Sequence, residues 1–105
     1  MNNIRFSHNW NLKLNQQIFT TIRKYDYKKW NYYKGQEDTE FNVLLNGKLH
    51  CKATLINAEY LNFNSIPKGL ICTDTGMNFK EARKLFRTFG ITEQSSVIVL
   101  TLKGE

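Results

Sequence analysis

A chain of 105 residues with 41% hydrophobic content can bury one core, and reads as one domain over residues 1–105 that needs no metal or disulfide staple. Fifteen basic against nine acidic residues give a net charge of +6 and a pI near 9.4, which favours acidic partners through long-range attraction. Cys51 and Cys72 lack Cys-x-x-Cys spacing and, with His8 and His50 scattered, make no zinc pattern; no metal or cofactor is expected, and both thiols read as reduced core residues of a cytoplasmic protein. Residues 1–6 carry no apolar signal-like core, and no window approaches the roughly 18 apolar residues of a membrane span, so a soluble, unexported chain without membrane partners is expected. Abundant Asn, Lys and Ile suit an AT-rich genome, such as that of a bacterium or its phage.

In chain order, Ile4 to Ser7 reads as a short first strand, and Asn11 to Gln17 as either a short helix or an irregular connection. Phe19 to Arg23 is rich in β-branched and aromatic residues and reads as a second strand. The segment after it reads as loop with a helical turn. Thr39 to Leu45 and Leu49 to Leu55 alternate apolar with polar residues around Asn46-Gly47, a pair that tolerates positive φ and signals a two-residue hairpin. The second arm is able to run on through Tyr60, and Pro67 marks a connection or a helix start.

Asn78-Phe79-Lys80-Glu81 is a variant capping box that opens a helix, and Gly90 closes it. Phe79, Ala82, Leu85, Phe86 and Phe89 share one face, which must be core; Lys80, Arg83, Lys84 and Arg87 make the other face positive. Ser96 to Lys103 holds a continuous apolar run typical of a buried strand.

The densest chemistry lies between Arg23 and Lys34. Five cations (Arg23, Lys24, Lys28, Lys29, Lys34) alternate with five aromatics (Tyr25, Tyr27, Trp30, Tyr32, Tyr33), and Asp26 is the only acid. Cations neutralise phosphates while Tyr and Trp faces stack on unpaired bases, so the leading expectation is RNA or another single-stranded nucleic acid as partner. In that reading Arg23, Lys24, Lys28, Lys29 and Lys34 hold phosphates, and Trp30 or Tyr32 stacks a base. The competing reading has the rings packed on the domain and the lysines merely solvated, since five aromatics cannot all stand in water.

Phe19-Thr20-Thr21-Ile22-Arg23, followed by Tyr33-Lys34-Gly35 and later by Asp74-Thr75-Gly76 ahead of a helix and a final apolar strand, resembles the ASCH domain family of the PUA-like superfamily. The resemblance runs from Ile4 to Lys103 and implies an α+β fold: a small PUA-like β-barrel of about five to six strands with two to three flanking helices and a cleft facing the motif strand. The family signature is glycine, any residue, lysine, two of any kind, an acid, any residue, arginine. Set on Arg23, it places Gln16, Ile18 and Thr21 at the glycine, lysine and acid positions, so only the arginine is kept.

Some bacterial ASCH proteins hydrolyse acetylated cytidine with a lysine, a threonine and a glutamate. Thr21 falls at that threonine, Thr75 falls near the glutamate with Asp74 as the nearest acid, and Ile18 replaces the lysine. Ile transfers no proton, so this mechanism does not carry over intact. The resemblance therefore implies a nucleoside hydrolase only as an alternative, with Thr21 and Asp74 as catalytic residues and Lys13 or Lys24 replacing the lysine. A protein-interaction module on the same scaffold is the third alternative. Arg23 either binds a phosphate or base edge or pairs with Asp74 or Glu59. Thr20 and Thr21 face opposite sides of their strand, so at most one lines the cleft and the other is β filler. His8 and Trp10 either rim the cleft or are structural.

Overall fold

The apolar run near the end of the sequence explains the architecture. In the computed structural model, which describes residues 2–104, it forms strand β5 (Ser96–Gly104), hydrogen-bonded on both sides to β4 (Lys48–Asn62) and β2 (Ile18–Lys24). Both faces of β5 are covered. Ile98, Leu100 and Leu102 point into one core with Ile4, Phe19, Phe41 and Leu55, while Val97 and Val99 point into another with Ile22, Phe63, Ile71 and Phe86. A strand buried on both faces has no reason to alternate polar and apolar residues, hence the unbroken run.

The sheet is completed by β1 (Asn2–Phe6) and β3 (Glu40–Leu45) in the order β1-β3-β4-β5-β2. Among the described residues only β1 with β3 is parallel; the other pairs are antiparallel. The β3–β4 turn is the expected hairpin, with Asn46 and Gly47 at φ 53° and 82°, the double positive φ of a type I′ turn. Strand β4 is long enough to pair β3 with its first half and β5 with the rest, and a register shift between Leu55 and Asn57 re-aims it between the two.

Three α-helices flank the sheet. Tyr27–Tyr33 forms α1, where the sequence suggests loop with a helical turn: Asp26 caps it by accepting from the Lys29 amide at 3.1 Å, and Tyr33 anchors it in the first core. Lys68–Thr75 forms α2 directly after Pro67 and ends at Gly76, whose φ of 72° is the left-handed conformation of a helix stop. Phe79–Thr88 forms α3. Its cap departs slightly from the expected box: the Asn78 side chain accepts from the Glu81 amide at 2.9 Å, but the Glu81 carboxylate takes its bond from the Asn78 side-chain amide. Ala82 and Phe86 bury the α3 face as expected, yet Phe89 is 50% exposed, because the helix has ended before it and the chain turns away at Gly90. Cys51 and Cys72 are half-buried rather than core.

The sheet is curled but not closed. β1 and β2 are its two edges, and the closure of a barrel is replaced by side chains: Arg23 Nη2 donates to the Arg5 carbonyl at 2.7 Å, and the Phe6 and Phe19 rings meet edge to face at 6.3 Å. Ile4 and Phe19, from opposite edges, share one core. The seam between those edges is where the cleft lies.

Candidate active site at the sheet seam

The segment between β1 and β2 builds one wall. Residues Trp10–Asn15 form a 3₁₀ segment held by the Asn9 side chain, whose Oδ1 accepts from the Leu14 amide at 2.9 Å. Leu12 sits at φ 51°, a left-handed conformation that costs a non-glycine residue about 1–2 kcal/mol. After this bend Leu14 enters the first core and Lys13 is buried at the seam, each almost fully out of solvent. Segments whose strain is tolerated are often those that aim a functional side chain.

Asp74, in the last turn of α2, is the partner. Lys13 Nζ lies 3.1 Å from Asp74 Oδ1, and Thr20 Oγ1 donates to the same oxygen at 2.9 Å; Lys13 and Asp74 are each only 4% exposed. Burial moves the two groups toward each other. Desolvation lowers the Lys13 pKa despite the nearby carboxylate, with Arg23 adding a smaller push downward. Desolvation likewise raises the Asp74 pKa, against the opposing pull of Lys13, Thr20 and Arg23. Two titratable groups in contact, with burial displacing their pKa values in opposite senses, are the kind of pair from which acid–base chemistry is built.

The cleft holds about 200 Å³ and is also lined by Thr21, Arg23, Trp10 and Phe89. Thr21 is buried, and its Oγ1 accepts from Arg23 Nε at 3.3 Å, which leaves the hydroxyl proton free to be given up. Of the two readings of Arg23, pairing with Asp74 or Glu59 is not what forms: its guanidinium bonds the Arg5 carbonyl and lies 4.9 Å from the Phe6 ring centroid. Desolvation lowers its pKa while Tyr33 and Asp74 raise it, and a guanidinium so placed remains charged. With Arg5, Lys13 and Arg23 against Asp74, the lining carries more positive than negative charge.

The two threonines of β2 divide differently from expectation. Thr21 lines this cleft, but Thr20 is not filler: it bonds Asp74 and lines a second cavity of about 240 Å³. Lys13 and Asp74 border both spaces and so form the partition between them. Ile18, at the position of the missing lysine, borders the second cavity. Thr75 is a helix-end residue, its hydroxyl donating to the Ile71 carbonyl at 2.9 Å and accepting from the Met77 amide at 3.2 Å.

The other candidates lie elsewhere. Lys24 ends β2; Lys28 and Lys29 stand on α1 and Lys34 just past it, all exposed, and none is in an ion pair among the described residues. Trp30 and Tyr25 pack edge-on against Tyr60 at 5.9 and 4.5 Å, and Tyr32 lies 6.2 Å from Phe41. Much of the aromatic content of the segment therefore serves to attach α1 to the sheet, although Tyr27 is 71% exposed. On α3, Arg83 and Arg87 are partly neutralised by Glu93 at 3.1 and 3.3 Å. Sequence reasoning does not reach Arg5 or Phe89 as cleft residues, nor the bond from Thr20 to Asp74. For Phe89 a signal is present: an apolar residue one place beyond the last helical turn and directly before a stop glycine. Among the described residues, no three His, Cys, Asp or Glu side chains gather to hold a metal, and no helix is long and apolar enough to cross a membrane.

Among the described residues, a curled five-stranded mixed sheet with Arg23 at its seam and three flanking α-helices defines an open α+β fold. Among solved structures, this fold matches an ASCH domain from Lactobacillus crispatus over 90% of the present chain and 68% of that one, with a TM-score of 0.58 and 16% identity. It also matches a protein of the DUF984 family from Enterococcus faecalis over 90% of this chain and 64% of that one, with a TM-score of 0.53 and 7% identity. The chain has the fold of an ASCH domain and spans about two thirds of the length of each of these structures. At the level of sequence, no family model and no curated protein matches.

Proposed function

We propose that the seam cleft is a hydrolytic site for a small amide carried on a nucleobase, of the acetylated-cytidine type. The observation that carries this reading is the Lys13–Asp74 pair, 3.1 Å apart and buried beside Thr21 and Arg23. A buried ion pair is a poor device for stability, since well-packed apolar residues do as well or better. Its presence at the rim of a cleft is the pattern of a site that gives up stability for chemistry. Lys13 also answers the objection raised by Ile18, because it brings an amine to the motif strand from a different element.

In this mechanism Lys13, once its proton has passed to Asp74 3.1 Å away, takes a proton from the attacking water. The hydroxyl adds to the amide carbonyl, the C–N bond breaks, and the departing amine takes up the proton that Lys13 received. The Thr21 hydroxyl donates to the carbonyl oxygen as charge develops there, and the Arg23 guanidinium behind it stabilises that charge. Asp74 orients the amine, forms the ion pair with it at rest, and holds its proton only while Lys13 acts as base.

Incubation with N4-acetylcytidine, followed by chromatography, should yield cytidine and acetate. Lys13→Ala and Thr21→Val should each lower kcat by roughly 10²-fold or more, as loss of a proton-transfer group or of an oxyanion donor does. A folded wild type that leaves N4-acetylcytidine and related N-acyl nucleosides intact would contradict the reading.

A second reading is favoured by one separate observation: Lys24, Lys28, Lys29 and Lys34 are exposed cations without ion-pair partners among the described residues. They suit the phosphates of RNA or another single strand. Anisotropy of a labelled short RNA at two salt concentrations tests it. Binding should weaken steeply with salt, and Lys28→Ala with Lys29→Ala should flatten the log–log slope by about 1.4, or about 0.7 for each phosphate no longer neutralised.

A further inference from the structure

We infer that the walls of the cleft form an aromatic clamp for a flat ring, with Trp10 as the stacking platform and Phe89 as the second ring. His8 and Trp10 enter the cleft as a stacked pair, their centroids 4.7 Å apart and their planes 22° from parallel. Ser7 Oγ lies 3.1 Å from His8 Nδ1 and fixes the imidazole. Phe89 lines the same space from the far end of α3 and is 50% exposed, although its place on the helix belongs to the apolar face. Rings from two separate elements thus meet one small opening, and Leu85 adds an apolar side chain to its lining. A half-exposed phenylalanine and a stacked indole at the mouth of a cationic cleft match a planar heteroaromatic ligand, whose faces are apolar and whose edges are polar. An aliphatic ligand of the same size would leave those faces without a partner.

The inference deepens the hydrolytic reading, since it names the part of the substrate that the walls hold, but it is measured by binding rather than by turnover. The chain has two tryptophans, so Trp30→Phe leaves Trp10 as the reporter. Cytidine and N4-acetylcytidine should quench its fluorescence saturably, and N-acetylglycinamide, which has an amide but no ring, should not. Phe89→Ala, an exposed position that should fold normally, should raise the Kd for cytidine about tenfold, the loss expected for one stacked ring. Absence of saturable quenching by the nucleosides, equal binding of the ring-free amide, or an unchanged Kd in Phe89→Ala would each overturn the clamp. Ring binding with the predicted Phe89 effect but no hydrolysis leaves the clamp standing and removes the hydrolytic reading. Hydrolysis with a KM indifferent to Phe89→Ala does the reverse.

Discussion

The basic helix and the seam cleft use the same residue types at opposite energetic cost. On α1, Lys28 and Lys29 stand in water, where a cation is solvated and adds little to stability in either direction. In the cleft, Lys13 and Asp74 are 4% exposed and have given up their hydration for each other, with Thr20 as a further partner of Asp74 alone. A charge that costs nothing says little about why it is present. One that costs several kcal/mol before its partner compensates it calls for an explanation. The basic-aromatic segment dominates the sequence by density, yet the stronger functional claim comes from two residues 61 positions apart that no local pattern connects.

Breaking the buried pair has the largest expected effect. Lys13→Met strands the Asp74 carboxylate and should destabilise the fold by about 3–5 kcal/mol, read as a lower urea midpoint at unchanged slope. Lys13→Met with Asp74→Asn removes both charges while keeping an acceptor for Thr20, and should recover most of that loss while remaining catalytically dead. Recovery in the double variant would show that the cost belongs to the pair and not to either side chain alone.

The pair also sets a pH signature. The raised Asp74 pKa contributes stability that is complete below the unfolded carboxyl pKa and is lost as pH rises through the folded one. The lowered Lys13 pKa contributes stability that is present above the unfolded lysine pKa and is lost as pH falls through the folded one. Between these windows neither contribution is present. The unfolding free energy of the wild type relative to the double variant should therefore be lowest near neutrality and rise toward both acid and alkali, as followed by urea midpoints across pH.

At the seam, Arg23→Lys keeps a positive charge but loses the fork that reaches both Arg5 and Thr21. It should cost about 1.5–3 kcal/mol, the worth of hydrogen bonds from a charged group. Smallest is the effect on α1. Lys28→Ala with Lys29→Ala should change stability by no more than about 0.5 kcal/mol per site and leave turnover of the nucleoside untouched. A large stability loss there would mean that the exposed helix is tied to the fold in a way its surroundings do not suggest.

What the sequence makes legible follows from how local each signal is. The β3–β4 hairpin and α3 rest on contiguous signals, Asn46-Gly47 and the Asn78–Glu81 cap, and both form where expected. Helix α1 is obscured because its Tyr and Trp residues favour strands, and its helicity is supported by Tyr33 and Trp30 packing on distant Phe41 and Tyr60. Helix α2 is harder still: it buries Asp74 and Thr75 along with Ile71, so the polar–apolar pattern that marks an amphipathic helix is absent. Thr21, Arg23 and Asp74 stand out through family resemblance, and the fold brings them to one cleft. The role of Thr20 and the exposure of Phe89 depend on the open seam and the end of α3, which no short stretch of sequence encodes.

The most direct test of the central claim is the turnover of N4-acetylcytidine by wild type and by the Lys13→Met/Asp74→Asn double variant, each first shown to be folded by its urea transition. Cytidine released by the wild type and not by an equally folded double variant is the predicted result. Equal release by both, or release by neither, would contradict the assignment of the buried pair to catalysis.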